Sequence, residues 1–388
     1  MSQQKTLNYK PSPLNFTLAL QYFIPSYFLK AKILDVYIFK KFLGTFFFAI
    51  SLIIAIAVVF DISEKVDDFI ERHAPIKAIV FDYYLNFIPY FANLFSPLFV
   101  FIAVIFFTSK MASQTEIIAI LNSGISFNRF LRPYLVAATV IAALSFYLNN
   151  WVIPHSNRVR LEFENLYIKN PYVYKARNLH RQLKPGQFIY FESYDNRANT
   201  GFLFSMENFK DGKLVSKLLS DRIAWDSISK KWRIENYMIR QIDGMHESIR
   251  KGARLDTVLT IHPNEFNRRV NYIEAMDYGE LNTFIKEEKL RGSESIAFAE
   301  VEQYRRTSYP FATFILTLIG VALSSRKVRG GIGLKIGAGI LLSFTYILFM
   351  QVTTTFATNG NAPAILAVWI PNMVYAVIAF FILKKAPK

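Results

Sequence analysis

The chain has 388 residues, 52% of them hydrophobic, and carries a formal net charge of +16. Its 37 Phe and positive mean hydropathy are too apolar for a water-soluble domain, and the absence of Cys excludes disulfides, thiolate metal sites and cysteine nucleophiles. The charge is unevenly placed: residues 156–305 hold 25 Lys/Arg against 21 Asp/Glu, the rest of the chain 20 against 8. A basic excess gathered around apolar blocks points to membrane orientation and anionic lipid rather than nucleic acid.

Residues 1–30, broken by Pro11, Pro13 and Pro25, read as an N-terminal extension. It is either a disordered or interfacial arm or sequence upstream of the true start, and no removable signal peptide is expected, since no small-residue cleavage site follows. A helix needs about 20 apolar residues to cross the hydrocarbon core. The first such span runs from Phe42 to Phe60, after Lys40 and Lys41, and gives way to an acid-rich loop from Asp61 to His73. The second runs from near Ile79 to near Thr108 with Pro89 and Pro97 inside it; the third runs from Tyr134 to the interfacial Trp151 and Ile153.

Between the second and third spans lies a short amphipathic stretch, 110–124, whose Glu116 is the only acidic residue between Asp82 and Glu162. A lone carboxylate between two spans is costly unless it lies outside the bilayer and has a partner. Gly124 sits where a helix would stop. The stretch reads as a helix–turn element suited to contact with another protein, or as a solvated loop with one stray acid.

Residues 155–300 form a folded domain rather than a loop. Phe188–Tyr194, Gly201–Met206, Leu214–Leu219, Lys231–Ile239 and Leu255–Ile261 read as strands, with hairpin dipeptides at Asp211-Gly212 and Asp243-Gly244. Short strands at this spacing predict an antiparallel sandwich, jelly roll or open barrel. Asp277 and Glu280 then form a helix-start box, with a stop at Gly292, and a second helical stretch from Glu294 enters the membrane. The fourth span, about Tyr309 to Leu323, borrows length from Ala297 to Arg306; the fifth runs from Ile336 to Phe356 and the sixth from Ala364 to Leu383.

The expected fold is thus a membrane α+β protein: spans one to three in 31–154, a β domain inserted after the third, and spans four to six in 301–388. Lys40/Lys41, Lys110/Arg129/Arg132, Arg326/Lys327/Arg329/Lys335 and Lys384/Lys385/Lys388 all fall on one side. The positive-inside rule makes that side, with both termini, cytoplasmic and places the β domain outside.

No catalytic constellation emerges. Gly330 to Lys335 lacks P-loop spacing and reads as a tight basic turn; His73, His155, His180, His246 and His262 have no metal spacing; no Gly-x-Ser-x-Gly elbow occurs. An enzyme acting on lipid head groups would need an acid/His cluster that is not found. Near the outer membrane surface Lys65, Arg72, Lys77, Arg158, Arg160, Arg305 and Arg306 are candidates for facing phosphate groups, or are snorkelling anchors of the span ends.

Several stretches carry a resemblance. Leu34-Asp-Val-Tyr-Ile-Phe-Lys-Lys-Phe opens the first span, Glu116-Ile through Ser123-Gly-Ile-Ser forms the short helix, Met276–Gly292 forms the pre-membrane helix, Glu302-Gln-Tyr-Arg-Arg-Thr-Ser-Tyr-Pro leads into the fourth span, and Arg329-Gly-Gly-Ile-Gly into the fifth. In this order, from Ile33 to Lys385, the chain resembles the LptF/LptG family, permease subunits of the lipopolysaccharide-export ABC transporter, with the G type favoured. The resemblance implies a non-enzymatic subunit of the Gram-negative inner membrane that pairs with a paralogous permease. Together they take lipopolysaccharide from the outer leaflet and pass it to LptC/LptA-type bridge proteins through a periplasmic jellyroll-like domain. It implies a cytoplasmic LptB-type ATPase dimer that uses ATP and Mg, with no cofactor on this chain. Glu116 matches the acidic coupling-helix residue, with Thr115, Ile117, Gly124 and Ser126 around it. Some members carry a basic substrate contact near the outer end of the first span, where this chain has Asp61 and Glu64 before Lys65. The alternative is a mechanotransmitting membrane protein of the FtsX or MacB kind that carries no lipid.

Overall fold

The structure, a computed structural model, describes residues 32–168, 177–266, 270–293, 295–325 and 331–386. The extension expected over 1–30, the helix start at Glu294, the basic turn Arg326, Lys327, Arg329 and Gly330, and Lys388 lie outside these residues.

Six helices are long and apolar enough to cross a membrane. They are α1 (Ile33–Glu71), α2 (Ile76–Ser113), α4 (Phe127–Tyr167), α6 (Ser295–Ser324), α7 (Gly331–Thr358) and α8 (Ala364–Lys384), with the short α3 (Glu116–Asn122) between α2 and α4. Two of them overrun their predicted ends. The stretch from Asp61, expected as a loop, continues α1 as helix to Glu71. No Gly or Pro interrupts the chain between Gly44 and Pro75, and Asp61 and Lys65 pair one turn apart. At 39 residues α1 is about 58 Å long, well beyond the hydrocarbon core. Likewise α4 passes Trp151 and runs on to Tyr167. A π turn at Leu148–Val152 precedes Pro154, whose missing N–H falls at the start of a fresh helical stretch.

The helices form two packed groups that share a spine. Ile38, Phe42, Val104, Met111, Phe130 and Tyr134 bring α1, α2 and α4 together; Phe101, Ile105, Leu316, Tyr346, Val368 and Tyr375 join α2 to α6, α7 and α8. In their most apolar windows α2 and α6 are 61% buried, against 17% for α1 and 22% for α7, so α2 and α6 form the spine and the other two present apolar flanks. Gly320 of α6 and Gly339 of α7 both lie against α2, where any Cβ would meet the side chains of Phe101, Val104 or Ile105. Small residues at such crossings let helices approach closely.

The inserted domain is one six-stranded antiparallel sheet in sequence order: β1 (Arg177–Lys184), β2 (Gln187–Asp195), β3 (Thr200–Lys210), β4 (Lys213–Asp226), β5 (Lys231–Asp243) and β6 (His246–Thr257). Asp211 and Gly212, with φ of 52° and 76°, turn β3 into β4 as the Asp-Gly signal requires. The second turn is shifted by one residue from expectation: Asp243 pairs with His246, so Gly244 and Met245 make the bend. The strand expected over Leu255–Ile261 is displaced too, since β6 ends at Thr257, and β1 had no counterpart in the sequence reading. Both are edge strands with mostly polar, exposed residues, so neither shows the buried alternation of β2 to β5. One face of the sheet packs around Phe191, Phe204, Ile223, Trp232, Ile234 and Phe266. The buried Trp232 donates its indole N–H to the Ile261 carbonyl at 2.9 Å.

After the sheet, short 3-10 turns at Pro263–Glu265 and Val270–Ala275 lead to α5 (Tyr278–Arg291). Its predicted start is realised as a capping box of Asp277 and Glu280, and Gly292 ends it in the left-handed region.

Candidate functional site

Two groups of residues named from the sequence come together at opposite ends of the helices. The first surrounds α3. The stretch 110–124 divides into the last turn of α2, ending at Ser113, and the separate helix Glu116–Asn122. The reversal is made in two residues because Thr115 adopts a left-handed φ of 62°, uncommon for a β-branched residue, with its hydroxyl donating to the Gln114 carbonyl. At the other end Gly124 takes a φ of 85°, and Ser126 caps α4 by accepting the Arg129 backbone N–H at 3.3 Å.

Within this element the predicted residues divide their faces. Ile117 is buried in the cluster with Ile38, Phe42, Met111 and Phe127, whereas Ile118, Ala119, Asn122 and Ser123 are exposed. Glu116 is half-buried and lies near the Tyr37 side chain of α1. Two residues earlier on α1, Asp35 accepts both arms of the Arg129 guanidinium, with Nη1 at 2.7 Å from Oδ1 and Nη2 on Oδ2. Behind them the buried Thr108 and Tyr134 hydroxyls lie 2.9 Å apart. Sequence reasoning singled out neither Asp35, Tyr37 nor Arg129 as site residues. The one signal for Asp35 was its isolation as the only acid between Lys32 and Asp61.

The second group lies where the helices meet the β domain. Lys65 pairs with Asp61 and with the Tyr83 hydroxyl, and the Tyr84 hydroxyl donates to Asp61 at 3.2 Å. Arg160 lies 3.6 Å from Glu164 and 4.8 Å over the Tyr90 ring. Arg305 is 2.6 Å from Glu302 and 3.3 Å from Glu274; the buried Arg306 donates to Glu302 at 2.8 Å. Arg158 donates to Glu280 at 2.7 Å. Arg72 is half-buried at the end of α1, and Lys77 is exposed at the start of α2. Lys65, Arg158, Arg160, Arg305 and Arg306 thus each face a carboxylate of the same chain.

Of these pairs, Arg305 with Glu274 and Glu302 lines a cleft together with Tyr90, Asn93, Asn157 and Tyr309. Deeper in, Ser145 donates to Asn93 at 2.7 Å and Asn93 to Asn149 at 2.8 Å, a chain of amides between α2 and α4. Inside a spanning bundle such groups turn to one another because no water is at hand, although the buried Asn149 Nδ2 has no hydrogen-bond partner among the described residues. Among the described residues no group of three or more His, Cys, Asp and Glu is placed to hold a metal ion.

Among the described residues, six apolar helices packed on an α2/α6 spine, with a β domain inserted after the third and a short helical connector at the other end, define a polytopic membrane protein. A family model described as lipopolysaccharide export system permease LptF/LptG matches residues 36–385. The chain belongs to that family, and so to the permeases of lipopolysaccharide export. No curated protein matched it in a sequence comparison.

Proposed function

We propose that this chain is one of two paralogous permease subunits that lift lipopolysaccharide from the outer leaflet of the bacterial inner membrane, driven by a separate cytoplasmic ATPase. The observation that carries the reading is the position of α3. It connects α2 to α4 at the end away from the β domain and turns Ile118, Ala119, Asn122 and Ser123 outward. An exposed, partly apolar helical face held by short, rigid connections is a surface on which another protein can push. Lys40, Lys41, Lys110, Arg129, Arg132, Lys384 and Lys385 share that end, which supports a cytoplasmic location for it and a periplasmic one for the sheet.

In this reading ATP and Mg belong to the LptB-type partner, and Thr115, Glu116, Ile117, Gly124 and Ser126 build the docking element. The apolar flanks of α1 and α7 face the paralogous permease and the acyl chains. The exposed polar edges at β1 or β6 pair with LptC/LptA-type bridge strands by main-chain hydrogen bonds. Lys65, Arg158, Arg305 and Arg306 serve the substrate by exchanging a carboxylate partner for a lipid phosphate, both being oxyanions that accept charge-assisted hydrogen bonds, and Arg72 and Lys77 add positive charge beside them.

The experiment is purification of the permease complex carrying Glu116→Lys. The ATPase should no longer co-purify and lipopolysaccharide export should stop. Retention of both the complex and export in that variant overturns the reading.

A further inference from the structure

We propose that the Asp35–Arg129 ion pair, by joining the first turn of α1 to the first turn of α4, is a positioning device that makes the start of α1 move as one body with α3 and the start of α4. The inference rests on the reading above in one respect: that α3 is the element the ATPase pushes.

Three observations converge. First, α1 is the least buried of the spanning helices in its most apolar window, so its position depends strongly on the contacts at its ends. Second, its first three turns are tied to residues on both sides of the α3–α4 connection. Asp35 accepts both arms of Arg129, and Ile38 and Phe42 share a buried cluster with Ile117. Third, these ties bracket that connection: Ile117 lies in the first turn of α3, while Arg129 lies in the first turn of α4, three residues beyond its cap Ser126.

The form of the pair suits this task. A guanidinium meeting a carboxylate through two parallel hydrogen bonds fixes orientation as well as distance. Asp35 and Arg129 are also only partly exposed, at 17% and 30%, which limits screening by salt. The far end of α1 is held too, by Lys65 on Tyr83 and Asp61 on Tyr84 of α2. A helix tied at both ends acts as a strut, so a shift at the α3–α4 connection reaches the region of Asp61 and Lys65 along α1 itself.

The test exploits the absence of Cys from the chain. Spin labels placed at Ile33→Cys and Asn128→Cys, both exposed positions away from the docking face, report the distance between α1 and the start of α4 beside α3 in the complete transporter. The parent should give one narrow distribution, the same in nucleotide-free and ATP-trapped states. Asp35→Asn should broaden it and lower the lipid moved per ATP hydrolysed by about tenfold, the scale of one lost charge-assisted hydrogen bond, while the ATPase stays bound. The swapped pair Asp35→Arg with Arg129→Asp should recover the narrow distribution and most of the transport, and Arg129→Lys should fall between. An unchanged distribution in Asp35→Asn, or a swap that restores nothing, overturns the proposal. Failure of the parent to bind an ATPase sinks the coupling reading instead, and the label distances still decide the tie of α1 to the α3–α4 connection.

Discussion

Arg158 donates to Glu280 Oε2 at 2.7 Å, and the same oxygen accepts the Asp277 backbone N–H at 3.1 Å. One carboxylate therefore closes the capping box of α5 and anchors that helix to the end of α4. Glu280→Gln keeps a side chain able to close the box and loses only the half-exposed ion pair, so it should cost no more than about 0.5 kcal/mol. Glu280→Ala loses the cap as well and should cost about 1 kcal/mol more. Thermal unfolding of the purified protein, with proteolysis at 278–291 as a local readout, separates them. Equal losses would show that the box contributes nothing.

The spine is the place where added volume should hurt most. A Cβ on Gly320 would lie 2.8 Å from Val104 Cγ1 and 3.1 Å from the Phe101 ring, whereas a Cβ on Gly337 would meet nothing within 4 Å. Gly320→Ala should therefore destabilise the protein by about 1–3 kcal/mol through overpacking of α6 against α2. Gly337→Ala should leave it unchanged or slightly more stable, since a helical Gly is replaced by a better helix former. Melting temperatures in detergent discriminate the two, and equal effects would rule out close packing as the reason for glycine at 320.

Glu288 is the group outside the spanning segments whose titration should register in stability. Its burial pushes the carboxyl up, but hydrogen bonds from Ser293 and Ser295 and the charges of Arg181 and Arg291 outweigh that and hold it below 4.5. A depressed carboxyl stabilises the fold above its unfolded value, and the contribution fades as pH falls through the lower folded value. Parent and Glu288→Gln should differ most in melting temperature at neutral pH and converge as pH is lowered below 4.5. A constant difference between pH 7 and pH 3 would exclude an ionised Glu288 as the tie between α5 and β1.

Much of this architecture was legible because it is encoded locally. Runs of about 20 apolar residues can be little else than spans. Asp211-Gly212 names its turn, Asp277 and Glu280 name a helix start, and Gly124 and Gly292 name two helix ends, each through the conformations of a few adjacent residues. The displaced features are those without a local signal. The acidic end of α1 looked like a loop because its residues are polar, yet nothing in it breaks a helix. The edge strands β1 and β6 lacked alternation because they cover little core.

The candidate site divides the same way. The sequence by itself determined that a single acid, Glu116, sits in a short helix between two spans and that cations gather near the other membrane face. Only the tertiary structure decided that Asp35 grips Arg129 from 94 positions away, that Arg158 faces Glu280 and that Arg305 faces Glu274, whereas Lys65 with Asp61 and Arg305 and Arg306 with Glu302 are pairs one helical turn apart. The reason is physical: a turn or a span is fixed by the conformational and solvation preferences of neighbouring residues, whereas an ion pair across the fold forms only where packing brings distant elements within 4 Å, and residue spacing does not carry that distance.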